Sequence, residues 1–175
     1  MKKSDRIRKQ AEQTMDKIRR IARHIRNVQD NCLLLGEKLI LNGELDLGKQ
    51  LIANGYVHDV SKFYGIEFEF MAPGTNVVEE GAKVRLKLAV HQHNTTNKHH
   101  PEAWSGGIQD MPDVYLAEFC CDIKARSEEF GTSLREWIIS DATKKWNFSD
   151  TDEIYKKIMK FVNLLCETPF EDLSK

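Results

Sequence analysis

Apolar residues recur at intervals of three or four along most of this chain, and that spacing is typical of one face of an α-helix. The longest run, from Ile7 to Leu39, predicts a single long helix that ends before Asn42-Gly43, with a break near Gly36 as an alternative. Shorter runs predict two helices over 45–52 and 77–90. A further helix is predicted to begin at Pro112, another after an N-cap at Thr132 or Ser133, and the last after an N-cap at Ser149. No segment shows the alternation of a strand. The chain is therefore predicted to be an all-α protein with a compact, single-domain helical fold.

The length of 175 residues and the hydrophobic fraction of 41% fit one domain over residues 1–175. Within this domain, residues 20–130 are expected to contain the functional site, and residues 132–167 are expected to form the C-terminal helices. The net charge of −1 gives no overall attraction to nucleic acid or to an anionic membrane. No apolar run approaches the roughly 20 residues of a membrane span. We therefore expect a cytoplasmic protein without a membrane or nucleic-acid partner. Formation of a homo-oligomer is an alternative that the sequence leaves open. The four cysteines form no Cys-x-x-Cys pair, which argues against a structural zinc site.

The histidines are the most informative residues for function. Five of the six form two groups, which are His58 beside Asp59, and then His91, His93, His99 and His100. Neutral imidazole and carboxylate are common ligands of catalytic transition metals. A solvated histidine-rich loop, or an adventitious metal binder, is the alternative for the second group. In that group His93 and either His99 or His100 are the first choices as ligands, whereas His91 is a candidate to support a ligand or to hold substrate phosphate.

Two residues on other predicted helices can complete a metal site. His24 lies on the apolar face of the first helix, where a lone histidine is more often a satisfied core residue. Asp122 lies in an apolar segment four residues after Glu118, and a carboxylate that faces a core needs a partner such as a metal. A salt bridge to Arg126 is the alternative. The predicted ligands of one or two divalent transition metals (Fe, Mn, Co or Zn) are His24, His58, Asp59, His93, His99, His100 and Asp122.

The ordered set His24, His58-Asp59 and Asp122 resembles the HD-domain superfamily of metal-dependent phosphohydrolases. In that superfamily a histidine, an adjacent histidine–aspartate pair and a later aspartate, on separate helices, bind the first metal. The segments 58–63 and 93–100, with Trp104, are more closely similar to an uncharacterised HD-like family found in bacterial and phage genomes. The resemblance covers residues 20–130 and implies an HD-like helical fold. The later histidines fall where two-metal members, including the HD-GYP cyclic-dinucleotide hydrolases, place ligands of the second metal.

The resemblance implies a hydrolase that acts on a small phosphate ester, with a nucleotide as the leading substrate. Asp59 would bridge two metals and Lys62 would clamp the phosphate. Glu102 or His91 would act as acid or base for the leaving group.

Two departures from the superfamily bear on the substrate and on the metal site. The Gly-Tyr-Pro signature is absent after His99-His100, which argues against a cyclic dinucleotide. Lys62 stands where single-metal nucleotidases have a glutamate. The superfamily also contains mixed-valent di-iron oxygenases, and that chemistry is the alternative function. A non-enzymatic nucleic-acid-binding module built on the basic first helix is a third hypothesis.

Overall fold

The computed structural model describes residues 3–71 and 80–166, and these residues form helices and turns without a strand. The elements are α1 (Lys3–Leu41), α2 (Leu45–Val57), a 3₁₀ turn (Val60–Phe63), α3 (Gly65–Phe70), α4 (Glu80–Thr96), two 3₁₀ turns (Pro101–Ala103 and Gly107–Asp110), α5 (Asp113–Phe130), α6 (Leu134–Trp137), a π-helical segment (Ile138–Ala142), α7 (Thr143–Lys145) and α8 (Glu153–Cys166). They pack into a compact single domain, which confirms the predicted all-α fold.

Glycines allow α1 and α2 to form a closely packed antiparallel hairpin. α1 runs unbroken through Gly36, so the alternative of a break there is wrong. A Cβ atom on Gly48 would lie 2.5 Å from the carbonyl oxygen of Gly36, and one on Gly55 would lie 2.7 Å from Cys32 Cβ. Because both distances are shorter than a van der Waals contact, α2 can approach α1 this closely only with glycine at these positions. The hairpin thereby holds the end of α2 against the part of α1 that carries His24.

α5 is the central helix of the core and packs against α1, α2 and α8. Its apolar side chains, such as Leu116 and Phe119, are buried together with those of the neighbouring helices. Two acidic residues of α5, Glu118 and Asp122, are also buried, with 4% and 8% of their surface exposed. Buried carboxylates need partners, and those of Glu118 and Asp122 are the histidines described below.

Several predicted boundaries differ from the structure. The helix predicted over 77–90 extends through α4 to Thr96, so His93 lies inside a helix rather than after its end. The sequence also predicts a loop over 71–76, and this segment lies, apart from Met71, outside the described residues. Residue 167, the last of the predicted C-terminal segment 132–167, lies outside them as well. The predicted cap at Ser133 is confirmed, because its Oγ accepts a hydrogen bond of 3.2 Å from the backbone N–H of Glu136.

The four cysteines are free thiols, and Cys32, Cys120 and Cys121 are buried in the core. Within residues 3–71 and 80–166, no helix is long and apolar enough to traverse a bilayer.

Candidate metal centre

The His58-Asp59 pair lies where the chain leaves α2. His58 has φ −52° and ψ 129°, and Asp59 has the left-handed values φ 53° and ψ 20°. Aspartate is among the few non-glycine residues that adopt this conformation readily. On a continuous helix the two side chains would diverge by about 100°, whereas this turn directs both to one buried point. The sequence favours a helical turn or short helix over 58–63, whereas in the structure the 3₁₀ turn begins only at Val60.

Four predicted ligands from three helices form a first group. His24 comes from α1, His58 and Asp59 from the end of α2, and Asp122 from α5. His24 Nε2 lies 2.9 Å from Asp122 Oδ1 and 3.8 Å from Asp59 Oδ2. His58 Nε2 lies 3.3 Å from Asp59 Oδ2 and 3.8 Å from Asp122 Oδ1. Ligands that are each about 2.1 Å from one metal ion lie about 3–3.5 Å apart. The first group therefore has the separations of a coordination shell.

A second group uses the other carboxylate oxygen of Asp59. His93 Nε2 and His99 Nε2 lie 3.3 and 3.5 Å from Asp59 Oδ1. His100 Nε2 lies 3.0 Å from His93 Nε2, and the ligand atoms of all four residues lie within 4.8 Å of one another. Asp59 therefore presents Oδ2 to the first group and Oδ1 to the second, as a carboxylate that bridges two metal ions would.

The polar atoms at the centre of this cluster lack hydrogen-bond partners. Five buried side-chain atoms among the described residues have none: His24 Nε2, His58 Nε2, Asp59 Oδ1, His99 Nε2 and Asp122 Oδ1. His24 Nε2 and Asp122 Oδ1 are 2.9 Å apart but lack the alignment of a regular hydrogen bond. Buried polar atoms normally have a partner, and all five belong to predicted ligands. The cluster can satisfy them together by holding a metal ion.

Three carboxylates orient the histidines from behind. Glu129 Oε1 lies 2.9 Å from His24 Nδ1, and Glu67 Oε2 lies 2.8 Å from His93 Nδ1. Glu118 Oε1 lies 2.9 Å from His58 Nδ1 and 3.3 Å from His99 Nδ1. Because an ionised carboxylate only accepts hydrogen bonds, each Nδ1 carries a hydrogen. A ring that carries no second proton then presents the lone pair of its Nε2 to the cluster.

The supporting role of these three carboxylates was not predicted from the sequence. Glu67 and Glu118 could have been recognised as buried carboxylates, since each is an acidic residue within an apolar segment. Glu129 could not have been, because it lies among the charged residues at the end of α5.

The buried charges set the protonation of the cluster in the metal-free protein. Burial raises the pKa of the Asp59 and Asp122 carboxyls, but the histidines around them hold both pKa values well below the usual range. Burial lowers the pKa of His58, yet Asp59 and Glu118 more than offset this effect and raise that pKa to about 10. Burial and the neighbouring imidazoles lower the pKa of His100 to about 3. Most of the cluster is thus ready to bind a cation, whereas His58 holds a proton that a metal would displace.

Lys62 lies beside the cluster, and its Nζ donates to Asp59 Oδ2. It also lines a cavity of about 690 Å³ that His24 borders. The cavity has basic side chains from two helices, Arg20 and Arg23 of α1 and Arg126 of α5, and the apolar side chains of Ile21, Met71 and Phe130. Three glutamates, Glu67, Glu128 and Glu129, line it as well, so basic, acidic and apolar side chains all border the cavity beside the first group.

Two predicted catalytic residues lie outside the cluster. His91 is exposed on α4 and, two positions before His93, projects from nearly the opposite helix face. Glu102 is exposed as well, with one oxygen 4.0 Å from Lys145 Nζ. The alternative of a salt bridge between Asp122 and Arg126 is wrong, because Arg126 pairs with Glu129 at 3.1 Å.

The fold and the cluster together define an all-α protein with a buried histidine–aspartate site that could hold a metal ion. The chain belongs to a family of unknown function, DUF5662, which it matches over residues 13–168. No curated protein and no solved structure matches the chain. The matched range includes every residue of the cluster.

Proposed function

We propose that this protein is an HD-like, metal-dependent phosphohydrolase that acts in the cytoplasm on a small phosphate ester, with nucleotides as the leading substrates. The observation that carries the proposal is the set of five buried, unpartnered ligand atoms that converge on Asp59. Isolated buried polar atoms cost stability, so a natural sequence retains five of them together only where a ligand satisfies them. A cation is the ligand that suits imidazole nitrogens and carboxylate oxygens equally.

The two groups around Asp59 would each hold one divalent metal ion. His24, His58 and Asp122 would complete the first set of ligands, and His93, His99 and His100 the second. Divalent metals in such a site supply Lewis acidity and lower the pKa of a water molecule toward about 7. Glu118 supports both sets, because its Oε1 faces His58 and His99.

The cavity beside His24 supports phosphate as the recognised group. Arg20, Arg23 and Arg126 line it together with Lys62, and guanidinium groups match the geometry of phosphate oxygens. Lys62 is the cation nearest to the cluster, and its ammonium now pairs with Asp59. A phosphate that approaches the metals would accept from this ammonium. Phe130 and Met71 offer apolar surface to the remainder of the ester, as a nucleoside would need.

Metal content and hydrolysis test the proposal together. We expect up to two transition-metal ions per chain and phosphate release from a nucleotide panel supplied with Mn, Co or Fe. Asp59→Asn should abolish both, and asparagine tolerates the left-handed backbone at this position. His93→Ala should lower the metal content, whereas His91→Ala, a histidine on the exposed face of the same helix, should leave the metal content unchanged. Metal-free protein, or failure to release phosphate with every nucleotide and metal, contradicts the proposal.

A second candidate is a mixed-valent di-iron oxygenase, and the nitrogen-rich ligand set favours it. Five histidines face one bridging carboxylate, and imidazole suits iron as well as zinc. Purification with iron, a Mössbauer signature of coupled irons and oxygen uptake would favour the oxygenase. Phosphate release supported equally by redox-inert zinc would favour the hydrolase.

A further inference from the structure

The first part of α1 extends away from the domain. Every residue from Lys3 to Asp16 is exposed, and Ile21 is the first buried residue of the helix. We call residues 3–19 the arm; at about 1.5 Å per residue it is about 25 Å long. Lys17 marks the junction with the domain, since its Nζ donates to the carbonyl oxygen of Glu69 at 3.1 Å. Helices gain most of their stability from packing, so a helical segment without packing contacts is expected to bind a partner.

An apolar stripe follows the arm. Ile7, Ala11, Met15 and Ile18 fall within a sector of about 80° of the helix. Ile7 and Met15 have 57% and 47% of their surface exposed. Toward the domain the stripe leads on to Ile21, which is buried. The same face of α1 is therefore covered within the domain, whereas along the arm none of the described segments (3–71 and 80–166) buries it.

The charges on the two flanks of the stripe are unequal. On one flank Arg8 pairs with Glu12 at 3.0 Å, and Arg19 with Asp16 at 3.2 Å. The other flank contains the basic residues Lys3, Arg6 and Lys17, with Gln10 and Gln13 between them and no acidic residue. The uncovered face thus combines an apolar stripe with an edge of basic and neutral residues, of which Lys17 is bonded to the domain.

This charge pattern decides between the occupants. A second arm packed antiparallel would place like flank against like flank, so the basic edges of two copies would repel each other. The free stripe covers only about two heptads, and a stable coiled coil needs three or four. A nucleic acid would attract the basic edge but leave the stripe uncovered. An anionic lipid surface covers the stripe and neutralises the edge at the same time.

We propose that the arm lies on the surface of an anionic phospholipid membrane, with the apolar stripe between the headgroups and the acyl chains. Ile7 and Met15 would enter the boundary, and Lys3 and Arg6 would contact the lipid phosphates. The net charge of −1 for the whole chain gives no indication of this basic segment. The arm alone has six basic and three acidic residues, and the fold exposes them apart from the acidic remainder of the protein.

Vesicle co-sedimentation of the full-length protein tests the proposal. We expect binding to phosphatidylcholine vesicles that contain about one-third phosphatidylserine, and little binding to pure phosphatidylcholine. Arg6→Gln should weaken binding about fivefold, the usual effect of one basic side chain at such a surface. Ile7→Asp should abolish binding. Val84→Asp is the matched control, since Val84 is 56% exposed on α4, and it should bind like the wild type.

Three outcomes would overturn the proposal. One is equal binding to neutral and anionic vesicles, or none to either, by protein whose circular dichroism shows a folded chain. Another is a dimer in light scattering that Ile7→Asp dissociates, which would assign the stripe to a second copy. The third is salt-sensitive binding of the arm to DNA or RNA with no vesicle binding. None of these measurements depends on the metal centre.

Discussion

Replacing Glu118 by glutamine is expected to weaken metal binding at both halves of the proposed metal centre. Glu118 Oε1 faces His58 Nδ1 at 2.9 Å and His99 Nδ1 at 3.3 Å, and Oε2 accepts from Asn54 Nδ2 at 3.1 Å. His58 belongs to the first group of predicted ligands and His99 to the second. Glutamine has one acceptor oxygen, so the amide cannot accept from the histidines and from Asn54 together. The charge that holds both Nδ1 hydrogens in place is lost as well.

The size of the effect follows from the supporting role of the carboxylate. Loss of such a partner typically costs 10- to 100-fold in metal affinity, or about 1.4–2.7 kcal/mol for each site. Two matched variants separate the halves. Glu129→Gln should weaken only the first site, because Glu129 contacts His24. Glu67→Gln should weaken only the second, because Glu67 contacts His93.

Competition with a chelator of known affinity measures this prediction. Zinc or manganese is titrated into each metal-free variant, and metal per chain is measured after dialysis. We expect two weakened sites for Glu118→Gln and one for each of the other variants, with helical circular dichroism retained in all. Wild-type affinity at both sites of Glu118→Gln would refute the argument that this carboxylate orients a ligand in each group.

Three further expectations follow from the structure. Metal affinity should rise by up to about tenfold per pH unit between about pH 6.5 and 10, because metal must displace the proton of His58, whose pKa is raised to about 10; calorimetry in buffers of different ionisation enthalpy would detect the released proton. Protonated His58 also stabilises the metal-free fold, because its pKa is raised. This stabilisation is complete below about pH 6.5 and is lost as the pH rises through about 10, so the unfolding temperature of protein kept metal-free with a chelator should fall over that interval. Gly48→Ala should destabilise the fold by about 1–3 kcal/mol in urea unfolding, because the new methyl group meets the carbonyl oxygen of Gly36 at 2.5 Å; unchanged stability would contradict the tight helix crossing.

Residue type and order were enough to predict which side chains form the histidine–aspartate cluster. The seven predicted metal ligands lie in one cluster, although they come from α1, the end of α2, α4, the turn after α4, and α5. Imidazoles and carboxylates in apolar segments are uncommon unless something binds them, so their presence was visible without coordinates. His91 and Glu102 show the limit of this reasoning. They lie close in sequence to true members of the cluster, but His91 projects from another helix face and Glu102 is exposed beside Lys145.

The sequence by itself determined that the chain is helical and which side chains can donate to a cation, since periodicity and chemistry are local properties. Only the tertiary structure decided how Asp59 divides its two oxygens between the histidine groups, and which carboxylates stand behind the rings. Those features depend on the left-handed turn at Asp59 and on the crossing of α1 and α2 at Gly48. Both features depend on packing between segments that are distant in sequence. The effect of a backbone angle or of a missing Cβ therefore becomes apparent only when the neighbouring helix is in place. The same holds for the exposed arm, whose stripe looks like any other stretch of α1 until the core is seen to end at Ile21.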